Sequence, residues 1–206
     1  MIPSEFHDFY QDRLQNYGAS AQGVGWKNQD AQTIRFAQLY KLMDEQLEVS
    51  INDLGCGTGD FIHFLSSQRN KFIYRGYDLL PEMIQNARLK FERANHITFQ
   101  VIESAAEILV SDYTIASGIF NIRFTTKDED WLKEILSTIH IMDTKSIRGF
   151  AFNILSKYSD LEFRKNELYY ADPGYLFDYC KRNFSKNVAL LHDYDQYDFT
   201  IIVRKS

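Results

Sequence analysis

The stretch VSINDLGCGTGD, Val49 to Asp60, begins as a short apolar–polar alternation and ends in glycines at every second position: Gly55, Gly57 and Gly59. Asp53 stands just before the first glycine, and a helical pattern, Phe61-Ile62-His63-Phe64-Leu65, starts just after the last. This order predicts a strand, a tight turn and a helix start. Glycine lets the main chain turn sharply and lets a ligand approach bare backbone. The helix start offers free N–H groups to an anionic group. A ligand with a nucleoside and an anionic end fits such a turn.

The dinucleotide fingerprint requires Gly-x-Gly-x-x-Gly, and here the third glycine position holds Asp60. The next strand, Lys71 to Asp78, ends in an acid, and a carboxylate at that point can accept both hydroxyl protons of a ribose. Its alternative role is a helix cap. A helix follows from Pro81, where a missing N–H costs nothing in the first turn, with Ile84, Ala87 and Phe91 facing inward.

Composition narrows the field. A chain of 206 residues, 45% hydrophobic and 25% charged, fits one domain with a sizeable core. With 3 Pro and 10 Gly it lacks the signature of disorder. The net charge of −5 and interleaved basic residues, as in Arg88-Leu89-Lys90-Phe91-Glu92-Arg93, argue against a nucleic-acid partner. Cys56 in the turn and Cys180 in a helical stretch form neither a disulfide framework nor a zinc site. His7, His63, His96, His140 and His192 are dispersed without metal-ligand spacing, so no metal is expected. The N-terminus has no signal-peptide pattern and no apolar run approaches a membrane span, which predicts a soluble cytoplasmic protein. Oligomeric state is left open.

The chain alternates predicted helices and strands, an α/β pattern. Ser4 to Tyr17 reads as a helix, followed by a glycine-rich loop to Trp26 and a second helix from Asn28 or Asp30 to about Met43. Further strands are read at Ile97–Ile102, Asp112–Gly118, Ile147–Asn153, Val188–His192 and Asp198–Val203, and helices at Asp128–Met142 and Pro173–Phe184. The long polar segment Ser156–Asp172 departs from a minimal fold, and such inserts usually carry binding function.

Asp53-Leu54-Gly55-Cys56-Gly57-Thr58-Gly59 resembles the first motif of the class I S-adenosylmethionine-dependent methyltransferases, and Tyr77-Asp78-Leu79-Leu80-Pro81-Glu82-Met83 resembles the second. Small bacterial members of that family share Ser117-Gly118-Ile119-Phe120-Asn121 and His192-Asp193-Tyr194. The resemblance implies a single domain: a three-layer Rossmann-like sheet of seven strands, mostly parallel, whose antiparallel last strand inserts between the fifth and sixth. Residues 1–45 would form an N-terminal helical lid and 46–206 the core, with an insert at about 156–172.

It also implies S-adenosylmethionine as cofactor, held by Asp53, Gly55, Cys56, Gly57, Gly59, Asp78, Leu79 and Met83. Glu103 matches the adenine-binding position, with Ser104 and Ala105 beside the ring; the alternative for Glu103 is a solvated loop acid. Ser117 and Gly118 would let the cofactor cross the strand end, with Asn121 reaching the methionine moiety or substrate, or else bonding its local backbone. Arg35, Gln29 and Trp26 are candidates to touch the methionine end or the substrate, against core packing for Trp26 and a surface ion pair for Arg35.

Methyl transfer needs alignment more than a covalent nucleophile, though an O–H or N–H acceptor can lose its proton to a base. His192 and Asp193 are the candidate bases, and Tyr169, Tyr170, Tyr194 and Tyr197 the candidate substrate-binding groups; the alternative for His192 is a structural strand-end histidine. The expected function is methyl transfer to an O or N acceptor on a small molecule. The alternatives are a non-catalytic S-adenosylmethionine-binding module and a nucleic-acid or protein methyltransferase.

Overall fold

A computed structural model describes residues 4–44, 48–69 and 71–205. Helices α1 (Ser4–Tyr17) and α2 (Gln29–Tyr40) precede β1 (Val49–Leu54). Then follow α3 (Asp60–Gln68), β2 (Phe72–Asp78), α4 (Pro81–Lys90), β3 (Ile97–Val101), β4 (Ser111–Ser117), α5 (Asp128–Thr144), β5 (Ser146–Leu155), α6 (Pro173–Asn183), β6 (Asn187–Leu191) and β7 (Asp198–Arg204). The element boundaries sit within a few residues of those predicted because the chain marks them chemically. Asn28 caps α2 by accepting the Ala31 N–H at 2.9 Å. Pro81 and Pro173 open α4 and α6, and Asp172 caps the latter through the Gly174 and Tyr175 N–H groups.

The seven strands form one sheet in the order β3-β2-β1-β4-β5-β7-β6. β1 pairs parallel with β2 and β4, and β4 parallel with β5. β7 runs antiparallel between β5 and β6, as the resemblance implied. Alternate residues feed two cores. Ile51, Tyr74, Ile115, Ala151 and Ile202 face α2, α3 and α4. Tyr77, Ala116, Phe150, Phe152, Phe199 and Ile201 face α5 and α6. The architecture is therefore three-layered, with the sheet between two groups of helices.

α1 sits at the carboxyl edge of the sheet. Its Phe6 packs edge-on against Phe124 at 4.7 Å and beside Trp131 at 5.9 Å, and Phe9 meets Phe124 at 5.7 Å. Positions 1–3 and 45 of the expected lid lie outside the described residues. Among the described residues no helix is long and apolar enough to cross a membrane.

Leu65 is fully buried in the core beneath α3. A Leu65→Ala variant is expected to lose about 2–5 kcal/mol of unfolding free energy. This should appear as a lower urea midpoint with an unchanged denaturant slope.

Candidate functional site

From β1 the chain crosses to β2 on one side, and from β4 to β5 on the other. A reversal of this kind leaves a crevice beyond the carboxyl ends of the two strands. The glycine turn forms its floor. Gly55 takes φ 74, and a Cβ there would overlap Ile119. The Gly55 and Cys56 N–H groups donate to the Tyr77 carbonyl at 2.7 and 3.0 Å. The Gly57 N–H donates to Asp78 Oδ2 at 2.9 Å, and the Leu80 N–H donates to Asp78 Oδ1 at 3.0 Å. Opposite, Gly118 takes φ 77, and its Cβ would lie 2.7 Å from the Trp26 ring. A cavity of about 900 Å³ opens between these two walls.

Most of the residues expected around a cofactor meet at this cavity. Asp53, Gly55, Cys56 and Gly57 line it from the turn, and Asp78, Leu79 and Met83 from the end of β2 and the start of α4. Glu103, Ser104 and Ala105 line it beyond β3, and Ser117, Gly118 and Asn121 beyond β4. Trp26 and Arg35 line it from the segment before β1. Gly59 is not in the lining: a Cβ there would press on Phe91 and Phe99, so this glycine serves packing behind the turn. Gln29 is also absent from it, and Gln32, one helical turn on, takes that place.

Several of these side chains already hold the protein together. Ser104 caps a single 3-10 turn while Glu107 accepts the Glu103 and Ser104 N–H groups at 2.8 Å each. The Asn121 carboxamide oxygen accepts the Leu155 N–H at 3.0 Å, tying the loop after β4 to the end of β5. The expected surface ion pair of Arg35 is instead buried. Its guanidinium grips Asp198 through Nε and Nη2 and donates from Nη1 to Ala31 O and Gln196 Oε1.

The electrostatics of the floor are acidic. Asp53 is buried, and burial pushes its carboxyl up to about 7; the Tyr74 hydroxyl, donating at 2.6 Å, works against that, and the nearby Asp78 and Asp60 carboxylates add to it. Asp78 is also raised by burial, opposed by main-chain N–H donors. The Cys56 thiol is driven well above its usual range by burial and by Asp78 and Asp53. A protonated, buried thiol is unreactive, so Cys56 is a packing residue whose sulfur covers Gly76.

The residues expected to act on an acceptor are not gathered here. His192, Asp193, Tyr194, Tyr197, Tyr169 and Tyr170 lie outside the cavity lining. The sheet order explains this, because the turn between β6 and β7 is at the outer edge, beyond β5. His192 packs its ring on Tyr158 and Phe199. Tyr197 donates to Asp160 at 2.5 Å, Tyr194 shares a hydrogen bond with Thr200 at 3.0 Å, and Tyr170 accepts the Lys165 N–H at 2.9 Å. The Tyr169 N–H donates to Asn121 O at 2.8 Å. From the insert it is Lys165, Glu167 and Leu168 that reach the cavity.

Sequence reasoning missed other lining groups: Phe6, Phe9, Tyr10 and Arg13 on α1, and Trp131 and Glu134 on α5. The signal for α1 was its helical aromatic stripe, which reads equally as core. Tyr10 sits close enough to Asp78 for that carboxylate to add to the effect of burial, and together they push the phenol up to about 12. Asn153 was also missed. Fully buried on β5, it accepts the Gly118 N–H at 2.8 Å and donates to Ser117 at 3.1 Å, fixing the wall opposite the glycine turn.

Comparison with known proteins bears on the family and the fold. The methyltransferase-domain family matches residues 51–140. A Mycobacterium tuberculosis protein named as a methyltransferase, Rv1506c, is 48% identical over 157 residues, covering 76% of this chain and 93% of its own length. The tRNA (guanine-N(7)-)-methyltransferase of Prochlorococcus marinus is 30% identical over 149 residues, covering 70% of this chain and 66% of its own. Among solved structures, magnesium protoporphyrin IX methyltransferase of Synechocystis with bound S-adenosylhomocysteine superimposes with a TM-score of 0.68 at 17% identity, covering 98% of this chain and 97% of that one.

Asp53 gives a test of the floor. An unfolded aspartate releases its proton near pH 4, whereas in the folded chain Asp53 holds it up to about 7. Its contribution to stability is therefore complete below pH about 4 and is lost as pH rises through about 7. Relative to Asp53→Asn, the wild type should lose stability between pH 4 and 8. A gap on the order of a few kcal/mol is expected, measured by urea unfolding at each pH.

Proposed function

This chain belongs to the class I S-adenosylmethionine-dependent methyltransferases, and from that premise we propose that it methylates an oxygen or nitrogen of a small molecule. The observation that carries the reading is the acidic floor. Asp60 and Asp78 stand close enough to Asp53 to add to the upward push of burial on its carboxyl, and all three carboxylates help raise the Cys56 thiol. Asp60 is paired with Lys90 at 3.0 Å, so it is chiefly Asp78, with Asp53 behind it, that would repel a pyrophosphate at the glycine turn and attract a cofactor with a sulfonium and an ammonium group. The residues present fit it: the Asp78 carboxylate stands at the end of β2 with both oxygens oriented by main-chain N–H groups, and Gly55, Gly57 and Gly118 bring bare backbone to the cavity.

When bound, the cofactor supplies an electrophilic methyl carbon on a positively charged sulfur. Asp78 would hold the ribose hydroxyls, since each carboxylate oxygen already engaged by one N–H keeps a further lone pair. Glu103, Ser104 and Ala105 would flank the adenine, with Glu103 exposed and free to turn toward its amino group. Asp53 and the glycine turn would meet the methionine end. Asn121, whose Nδ2 has no acceptor among the described residues, is oriented by its bond to Leu155 and would contact the acceptor or the methionine moiety.

α1 and the Lys165–Leu168 segment roof the cavity, which supports a small acceptor over a polymer. The porphyrin enzyme among the similar structures acts, by its name, on a small molecule. The cyanobacterial relative named for tRNA raises a nucleic-acid acceptor, and the net charge of −5 weighs against it. The lining holds no histidine among the described residues. In this reading the acceptor's proton passes to solvent water, and His192 and Asp193, outside the cavity lining, take no part.

Calorimetry with S-adenosylmethionine, S-adenosylhomocysteine and NAD tests the cofactor. The two sulfur compounds should bind and NAD should not; the reverse result would end this reading. Asp78→Ala should weaken S-adenosylhomocysteine binding by more than about tenfold, because charge-assisted hydrogen bonds are lost. His192→Ala should change it by less than about twofold, as for a surface substitution remote from a site.

A further inference from the structure

Arg35 lines the cavity yet is committed elsewhere. Two of its nitrogens are held by Asp198, a carboxylate with no solvent exposure. A third donates to Ala31 O at 2.6 Å and to Gln196 Oε1 at 3.0 Å. Four of the five guanidinium N–H bonds are thereby used, and the charge is matched by a buried partner. A guanidinium so engaged is a poor receptor for a ligand carboxylate, because drawing it away would leave Asp198 buried and unpaired.

What Arg35 does present is its flat face. Its Cζ lies 4.5 Å from the centroid of the Trp26 ring. The far edge of the same indole meets Gly118, whose missing side chain makes the approach possible. The indole is half-buried and borders the cavity. Trp26 belongs to the loop between α1 and α2.

We propose that Arg35 is a positioning residue: locked to Asp198, it sets the Trp26 indole against Gly118, and the indole forms the wall where the methyl donor meets its acceptor. This rests on the methyltransferase reading for the ligand and on geometry alone for the indole. Arg35 thus acts through Trp26, in contrast to a direct contact with the cofactor.

The experiment uses Trp131→Phe as background, leaving Trp26 as the sole tryptophan. Arg35→Lys keeps a charge opposite Asp198 but lacks the planar face. It should make Trp26 fluorescence more accessible to acrylamide in the ligand-free protein. It should also weaken S-adenosylhomocysteine binding about fivefold, the scale of one partly desolvated cation–π contact. In a Trp26→Ala background, Arg35→Lys should add no further loss. Should Arg35→Lys fail to fold, Arg35→Met combined with Asp198→Asn removes both charges together and carries the same expectations.

Unchanged quenching overturns the proposal. So does an equal fold-loss in both backgrounds, which would make Arg35 a direct ligand. Failure of the wild type to bind S-adenosylhomocysteine would sink the functional reading instead, and the quenching arm would then decide the positioning role by itself.

Discussion

The carboxylate of Asp78 is built into the backbone it serves. One oxygen takes the Gly57 N–H and the other the Leu80 N–H, so a single side chain ties the glycine turn to the residue from which the next helix starts. The turn needs such a clamp. Its glycines take positive φ values, conformations that nothing local enforces and that are costly to fix in entropy. With the Gly55 and Cys56 N–H groups on Tyr77 O and the Gly57 N–H on Asp78, the end of β2 holds the turn after β1 through three hydrogen bonds. The ligand surface is therefore set before any ligand arrives, which lowers the cost of binding.

What was legible in the sequence follows the same logic. The turn and Asp78 could be read because the conformations they need admit few residue types, and the spacing of Gly55, Gly57 and Gly59 leaves little else possible. Strands and helices could be read because burial imposes its period on the chain, as in Phe150, Phe152 and Ile154. The reach of the β6–β7 turn could not: the resemblance implied the order of the last strands, but nothing local in His192–Tyr197 says whether that turn extends back to the crevice two strands away. Arg35 and Asp198 are 163 residues apart, and each alone reads as a surface charge. Asn153 likewise looks like any polar strand residue until β4 is laid beside it.

The roof has a different character from the floor. Phe6, Phe9, Phe124 and Trp131 meet as an aromatic cluster, non-directional and dependent on shape. Phe124 adopts φ 49, a region costly for a bulky residue and tolerated where surroundings demand it. Phe124 and its neighbour Arg123 both donate their main-chain N–H groups to Glu167 O, so the insert holds the loop that carries the ring under α1. The insert thereby shapes the cavity through the main chain more than through the tyrosines that drew attention to it.

The bond between Arg35 and Asp198 joins the second helix to the last strand. A chain leaving the ribosome exposes Arg35 first, 163 residues before the carboxylate that fixes it. Sequence-distant contacts of this kind form late and slow folding. The unfinished polypeptide can assemble its glycine turn from β1 and β2 alone, yet one wall of the crevice waits for β7. Completion of the sheet and completion of the site are the same event, so a nascent or truncated chain presents half a pocket.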